Sequence, residues 1–379
     1  MEIIVFIIPF ITAIILLAFF REKVVWWEYG IIIAVPIAFI LLLKLCVTTV
    51  VTSDIEYLGG YVTQLTHYDD WDETVMVPHT VTTGKTTTTI MVPERRYHPD
   101  TYSYRSSIDG GKAEHPITKR LYKTMKDRIG GPEFFRDMHR DYRSKDGDAH
   151  DIFFDLDTAS QSRLYDITES GTYQNKIKAS EYSIFGSRHI SKKEAKKLGL
   201  YSYPDIDRNL KQIPIIGDSV LLEDTEAVQL LNAIYGKKYQ FRTFILLFDA
   251  GKYGIEISEK QKDYWNGGNK NEFIVCIGLD SLDNVIWCNP FSWADEPKLE
   301  VLTRDYFLDN PQLNISAYAG FLSEKIPDNW IRKEFKDFDY LSVSISNVFY
   351  IIIIILMIIA EIFLSIFVIR NSYQNYIQR

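Results

Sequence analysis

Three long apolar runs constrain how this chain can fold. They comprise residues 3–20, residues 31–51, which contain Lys44, and residues 348–369, which contain Glu361. A membrane-spanning helix needs about 20 apolar residues, because each residue adds about 1.5 Å and the hydrocarbon layer is about 30 Å thick. The sequence therefore predicts two N-terminal transmembrane helices and one C-terminal transmembrane helix, with the intervening chain anchored to a cell membrane at both ends.

The first run is interpreted as an uncleaved anchor rather than a signal peptide. It begins with Met-Glu instead of a basic region, and no small-residue cleavage site precedes Arg21. Basic residues favour the cytoplasmic side. Four of them lie in the loop after the first run and in the tail after the third run: Arg21, Lys23, Arg370 and Arg379. Three others, just before the third run, oppose this orientation: Arg332, Lys333 and Lys336. The balance predicts an extracytoplasmic position for the region between the second and third runs.

The region between the second and third runs is acidic. Residues 52–346 carry 37 basic and 46 acidic side chains, a net charge of −9, and show no basic stripe. Such a surface excludes nucleic acid as a partner and disfavours flat adsorption to anionic lipid headgroups. The expected partners are the lipid bilayer itself and either another protein or a second copy of this chain.

Two ionisable residues lie inside the apolar runs. Charges within the membrane usually face a partner or a cavity, which makes Lys44 and Glu361 the obvious pair. Counted from Tyr29 and Arg370 at about 1.5 Å per residue, they lie about 22 Å and about 13 Å from the same membrane face. The gap disfavours an ion pair. Lys44 is therefore expected to extend towards the surface, leaving Glu361 in need of a hydroxyl, a water or another subunit.

The spacing of apolar residues along the sequence predicts an α+β fold for the region between the anchors. Residues 55–68 alternate as in a strand, and threonine-rich strands flank Gly84-Lys85 as in an exposed hairpin. Helical patterns cover residues 118–129 and 132–142. From about residue 218, helices alternate with strands, which is typical of an α/β layer. The predicted organisation is residues 1–51 with two transmembrane helices, 52–217 β-rich, 218–345 α/β, and 346–379 with the last transmembrane helix and a short basic tail.

Cys276 and Cys288 lie in two strand-like runs joined by a polar turn. A hairpin centred near Leu282 would place the two cysteines opposite one another, close enough for a disulfide in an oxidising compartment. The alternative is that both are small core residues.

Acidic residues cluster between residues 148 and 157. If this segment is one strand, Asp151, Asp155 and Asp157 share the face opposite His150 and could hold a hard cation such as Ca²⁺. The alternative is a solvated acidic strand face. No other cofactor is predicted.

A polar turn around Gly267-Gly268 is the second candidate site. Its side chains could line the rim of a ligand pocket: Asn266, Asn269, Lys270 and Asn271. Alternatively the turn is structural, since the two glycines can adopt positive φ after a helix.

A family resemblance rests on four segments: residues 265–278, VIW at 285–287, FSW at 291–293 and FKDFDYL at 335–341. They resemble a family of uncharacterised membrane proteins of large tailed bacteriophages and some bacteria. The order of helix, Gly-Gly turn, strand, hairpin and helix also looks like the TPM domain, an α/β module found outside membranes. Where TPM domains have a glycine-rich segment after the second strand, this chain has Cys-Asn-Pro-Phe-Ser-Trp at 288–293, so the resemblance implies no hydrolase activity.

Two functional classes are consistent with these patterns. The first is a membrane-anchored, non-enzymatic binding or envelope-associated protein that contacts its partner through the threonine-rich ribbon and an aromatic surface. The second is a membrane-tethered, metal-dependent, phosphatase-like hydrolase that uses the carboxylates of residues 148–157 or the turn at 266–271. Tethering at both ends restrains movement and favours the first class.

Overall fold

The computed structural model describes residues 2–83, 86–138, 147–157, 160–177, 179–180, 190–206, 213–217, 222–293, 297–338, 340–343 and 345–371. The chain divides into two compact units. The helical unit comprises Met1–Ile55, Thr172–His189 and Glu334–Arg379, and the sheet unit comprises Glu56–Gly171 and Ile190–Lys333.

In chain order, the helices are α1 (Glu2–Phe20), α2 (Trp26–Thr52), α3 (Lys119–Ile129), α4 (Lys192–Leu198), α5 (Leu222–Tyr239), α6 (Glu256–Tyr264), α7 (Lys298–Asp309), α8 (Ile315–Asn329) and α9 (Asn347–Asn371). The strands are β1 (Ser53–Tyr68), β2 (Trp71–Thr83), β3 (Thr86–His98), β4 (Thr101–Ser106), β5 (His115–Ile117), β6 (Phe134–Arg136), β7 (Ala149–Phe153), β8 (Asp166–Gln174), β9 (Ile215–Ile216), β10 (Arg242–Asp249), β11 (Glu272–Leu279) and β12 (Val285–Ser292).

The helical unit confirms the three predicted membrane spans. α1, α2 and α9 pack against one another, and each is long and apolar enough to cross a membrane. One end of this bundle is held by a cluster of Val5, Ile40, Ile353 and Met357. The other end is held by Ala13, Leu16, Val24, Ile32 and Val368. The loop after α1 and the last turn of α9 therefore lie at the same end of the bundle.

α2 begins at Trp26, five residues earlier than the apolar run alone predicts. The reason is a cap: the Glu28 side chain accepts a 2.7 Å hydrogen bond from the backbone N–H of Val25. Farther along the bundle, Glu361 is only 3% exposed, and among the described residues neither of its carboxylate oxygens has a hydrogen-bond partner.

The first sheet of the sheet unit has the strand order β5-β4-β1-β7-β6, and β8 also pairs with β1. β1 lies at its centre, antiparallel to both β4 and β7. α3 covers one face, where Leu65 and Ile152 pack against Tyr122 and Met125. This arrangement confirms a sheet-rich region after the second span.

The second sheet has the order β12-β11-β10-β9, in which β9, β10 and β11 are parallel and β12 is antiparallel. α5, α7 and α8 cover one face, while α4 and α6 cover the other. Burial on both faces explains why β10 and β11 are almost continuously apolar in sequence. The result is a three-layer α/β arrangement.

α5 joins the two sheets. Ala233 of α5 belongs to the core of the first sheet, while Val228 and Leu231 belong to the core of the second. At the crossing, a Cβ atom on Gly236 would lie 2.7 Å from the carbonyl carbon of Gly59 in β1. Only two glycines allow the backbones to approach so closely.

Two local elements differ from what the sequence predicts. The segment predicted as a helix at 132–142 instead forms the short strand β6, whose Phe134, Phe135 and Arg136 pair with β7; the residues after 138 lie outside the described part of the segment. Pairing at the edge of the sheet outweighs local helical preference there. In addition, α8 was not predicted, because Gly320 and Pro327 interrupt its helical pattern.

Candidate functional site

The three aspartates proposed as cation ligands do not converge. β7 ends at Phe153, so strand alternation does not extend to Asp155 or Asp157. Asp157 accepts a 2.7 Å hydrogen bond from the Ser160 backbone, and Asp155 is exposed. Among the described residues, no group of three or more His, Cys, Asp or Glu side chains could hold a metal ion. The predicted Ca²⁺ site is therefore not formed by these residues.

Asp151 has a structural role instead. Its carboxylate accepts hydrogen bonds from Arg136 Nε at 2.9 Å, Thr66 Oγ1 at 2.7 Å and Gln64 Nε2 at 3.0 Å. Burial alone would raise the pKa of Asp151, but the hydrogen bonds from Arg136, Thr66 and Gln64 outweigh burial and hold the pKa below its ordinary value. The buried Asp151 carboxylate thus ties the exposed Arg136 of β6 to Gln64 and Thr66 of the central strand β1.

Replacing Asp151 by asparagine is expected to lower the free energy of unfolding by about 1.5–3 kcal/mol near neutral pH, since a charge-assisted hydrogen bond is lost. Because the folded pKa is depressed, this stabilisation is complete above the unfolded value of about 3.9 and disappears as the pH falls through the folded pKa. Urea unfolding of the full-length protein in detergent, between about pH 7 and pH 2, should therefore show the two proteins converging at the acid end. Asp155→Asn is the matched control and should behave as wild type. A difference that stayed constant over the whole range would contradict this assignment.

The polar turn does not form a ligand rim. Asn269, Lys270 and Asn271 are buried, and Asn266 adopts a φ of 51°. The Asn271 amide donates a 2.7 Å hydrogen bond to the backbone oxygen of Tyr57, and the Asn269 amide donates to Glu272 Oε1 at 3.0 Å. The turn is buried because it lies where the second sheet meets β1, so its polar groups serve the fold.

Glu272, at the start of β11, is the acidic centre of this buried network. Burial raises the pKa of Glu272, and hydrogen bonds from Tyr203 and Asn269, with the nearby Arg242 guanidinium, act in the opposite direction. Arg242 is itself buried and donates to Thr168 Oγ1 in β8 at 3.3 Å. These charges lie between the two sheets and are closed to solvent.

The two cysteines do not lie opposite one another, and both are free. In the β11–β12 pairing, Cys276 is opposite Asn289 and Cys288 is opposite Ile277. The register shifts because Ile286 has no partner, which is a one-residue bulge. Cys276 therefore packs in the core beneath α6, whereas Cys288 packs against the core beneath α5, α7 and α8.

The predicted threonine-rich hairpin is a two-stranded ribbon formed by β2 and β3; its tip, Gly84-Lys85, lies outside the described residues. The ribbon is inserted between β1 and β4, which pair directly with each other. At about 3.4 Å per residue, each 13-residue strand is about 44 Å long. In the described part of the chain, β2 and β3 make extensive contacts only with each other.

The ribbon exposes apolar side chains. Met76 and Met91 are 52% and 54% exposed, and they lie on one face beside Pro93 and Pro78. Val77 and Val92 pair on the opposite face, next to the exposed Ile90. Neither face is covered within the described residues, so the ribbon presents an unpartnered apolar surface.

A cluster of charged and aromatic residues holds the base of the ribbon. We call it the ribbon-base cluster: His67, Asp69, Asp100, Lys119, Glu133 and His150. Asp69 follows β1 and Asp100 precedes β4, so these two residues lie where the chain enters and leaves the ribbon.

Two imidazoles share the Asp69 carboxylate. His150 Nε2 lies 3.0 Å from Asp69 Oδ2, and His67 Nε2 lies 3.9 Å from Asp69 Oδ1. Because His67 is paired with both Tyr102 and His150 across the sheet, the three rings stack in a row with centroid separations of 4.6 and 5.7 Å. The row fixes the orientation of both imidazoles.

Lysines neutralise the remaining carboxylates of the ribbon-base cluster. Hydrogen bonds from Tyr102 and from Lys119, whose Nζ lies 2.9 Å away, lower the pKa of Asp100. A hydrogen bond from Lys126 lowers the pKa of Glu133 below its usual value. Among the described residues, neither imidazole hydrogen-bonds a serine, threonine or cysteine side chain, so the cluster offers no activated nucleophile. Its geometry suits positioning of the ribbon.

The ribbon-base cluster was not predicted from the sequence. Its members lie in or next to β1, β4, α3, β6 and β7, and are separated by up to 83 positions in the chain. The pairing of β1 with β4 is the signal that could have revealed this cluster. If the ribbon is recognised as an insertion between these two strands, His67 and Tyr102 are expected to lie opposite each other.

Comparison of the chain with models of protein families, with curated proteins and with solved structures finds no match.

Proposed function

We propose that this chain is a membrane-anchored, non-enzymatic assembly protein whose copies associate through the apolar faces of the β2–β3 ribbon. The observation that carries the proposal is the ribbon itself, with exposed methionines on one face and exposed Ile90 on the other. Isolated two-stranded hairpins are only marginally stable in water, and uncovered apolar patches usually mark interaction sites. A partner surface would stabilise this ribbon.

The pattern of the ribbon favours a second copy as that partner. Both strands carry the sequence Met-Val-Pro, at residues 76–78 and 91–93, and the two triplets pair antiparallel about Val77 and Val92. The ribbon therefore has an internal two-fold arrangement, which suits the self-complementary contact of a symmetric dimer. Between residues 74 and 93, Lys85 is the only Lys, Arg, Asp or Glu, so two copies meet without a dense array of like charges.

The prolines favour contact through the faces of the ribbon. Pro78 and Pro93 lack a backbone N–H, which interrupts a hydrogen-bond ladder with any strand added to either outer edge. Anchoring supports self-association, since copies held in one membrane have a high local concentration.

We further propose that the sheet unit is extracytoplasmic. The support is that the loop carrying Arg21 and Lys23 and the end of α9 carrying Arg370 lie at one end of the bundle, and basic residues favour the cytoplasmic side. The metal-dependent hydrolase expected as the second class gains no specific support, because Asp151 is engaged by Arg136 and the turn at 269–271 is buried.

Replacing both exposed methionines by threonine, Met76→Thr with Met91→Thr, is expected to weaken self-association at least about tenfold. Burying one such side chain contributes about 1.5–3 kcal/mol, and 1.4 kcal/mol corresponds to a factor of ten. Threonine retains the preference for a strand. The measurement is energy transfer between two populations of labelled full-length protein mixed in liposomes, as a function of protein-to-lipid ratio.

The matched control is Leu282→Thr with Ile286→Thr, two exposed apolar residues of the β11–β12 hairpin outside the ribbon. This variant should associate as the wild-type protein does. The proposal would be overturned if the wild-type protein stayed monomeric, or if the ribbon variant self-associated as strongly as the control variant.

A further inference from the structure

A groove of about 770 Å³ runs between α2 and α9 on the surface of the helical unit. Its lining is apolar and includes the rings of Phe39, Phe363 and Phe367. Arg370 is the one charged residue among those that line it in the described part of the chain. The groove is therefore apolar along its length and has a cationic side chain at one end.

The groove has a closed bottom and open sides. Pro36, at the bottom, is buried, whereas Phe363 and Phe367 are 70% and 57% exposed. Ala360, a small residue among large ones, leaves the space between the two helices unfilled. An occupant would insert between the phenylalanine rings and still contact the surrounding lipid.

The length of the groove matches one leaflet of a bilayer. From Ala360 to Arg370 the helix rises about 15 Å, at about 1.5 Å per residue. The hydrocarbon layer is about 30 Å thick, so the groove extends from one membrane surface to about the midplane. A single acyl chain that enters from the surface covers the same depth.

The charge at the open end selects the headgroup. Arg370 is exposed at the end of α9, and Arg21 and Lys23 lie in the loop at the same end of the bundle. Arginine binds phosphate groups through its planar fork of donors, and basic sites between transmembrane helices recognise anionic headgroups. Three cations at one end favour an anionic lipid over a zwitterionic one.

We propose that the α2–α9 groove binds one anionic phospholipid, with an acyl chain along Phe39, Phe363 and Phe367 and the headgroup phosphate beside Arg370. This site is independent of the ribbon and of self-association. The helical unit would then hold one specifically bound lipid in addition to the bulk lipids that surround it.

The test is native mass spectrometry of the full-length protein in detergent, titrated with phosphatidylglycerol or with phosphatidylcholine of the same acyl chains. We expect one retained lipid per chain and a preference of at least about fivefold for phosphatidylglycerol, since Arg370 beside the phosphate alone contributes about 1 kcal/mol. Arg370→Gln should reduce the preference about fivefold. Ala360→Phe, which fills the groove, should abolish retention of both lipids.

Two variants serve as matched controls. Lys23→Gln removes a charge at the same end of the bundle outside the groove lining and should retain the lipid, with its preference reduced less than in Arg370→Gln. Ala18→Phe adds the same bulk at an exposed position of α1 outside the groove and should bind as wild type. Equal retention by Ala360→Phe and wild type, or equal affinity of the wild-type protein for both lipids, would overturn the proposal. It would also be overturned by a lipid-free protein dimer that Ala360→Phe dissociates, because the groove would then hold a second copy.

Discussion

Gly236→Ala is expected to lower the free energy of unfolding by about 2 kcal/mol, although alanine is normally the better helix former. The new Cβ would lie 2.7 Å from the carbonyl carbon and 2.8 Å from the Cα of Gly59, well inside van der Waals contact. Overpacking of this kind typically costs about 1–3 kcal/mol, because α5 or β1 must move. For a domain of this size, about 2 kcal/mol corresponds to a melting temperature lower by about 5 °C.

Gly320→Ala is the matched control, since Gly320 also lies within a helix but has nothing within 4 Å of an added Cβ. It should raise the free energy of unfolding by up to about 1 kcal/mol through helix propensity alone. Thermal unfolding of both full-length variants in detergent, followed by circular dichroism, should therefore give shifts of opposite sign. Two shifts of the same sign would show that the Gly59–Gly236 approach is not a constraint.

Trp330→Ala is expected to have the largest effect, a loss of about 3–5 kcal/mol, which is typical of removing a large buried aromatic side chain. Trp330 follows α8 and packs edge-on to Phe241 with a ring separation of 4.8 Å. Its indole N–H also donates a 3.1 Å hydrogen bond to the backbone oxygen of Tyr239 at the end of α5. The substitution removes both contacts between α8 and the start of the second sheet.

Leu308→Ala is the control for this variant, because Leu308 is an exposed residue of the adjacent helix α7. Surface substitutions of this kind usually change stability by no more than about 0.5 kcal/mol. Urea unfolding of the full-length proteins, read from far-ultraviolet circular dichroism, compares the two. If both variants unfolded at the wild-type urea concentration, α8 could not be part of the core.

The membrane spans could be predicted because lipid acts on each segment separately. A helix in hydrocarbon must satisfy its own backbone and present apolar side chains along its whole length, so length and composition suffice. The strands β1, β2 and β3 could also be predicted, since alternation of apolar and polar residues and the Gly84-Lys85 sequence are local features.

The positions of the candidate residues could not be predicted, because they depend on pairing between distant strands. The one unpaired residue at Ile286 moved Cys288 to the face opposite Cys276. Likewise, the end of β7 at Phe153 removed Asp155 and Asp157 from the strand that holds Asp151. A shift of one residue reverses the face of every side chain beyond it, and nothing local encodes that shift.

The separation of Cys276 and Cys288 leaves two free thiols in place of a disulfide. Burial raises the pKa of the Cys276 thiol well above its ordinary value and that of the Cys288 thiol to about 12, so neither forms the thiolate that exchanges with disulfides. Because the Cys276 side chain of β11 and the Cys288 side chain of β12 lie on opposite faces of the sheet, the two sulfurs belong to different cores. The native sheet unit thus holds Cys276 and Cys288 as separate free thiols, and it needs no oxidising enzyme to join them.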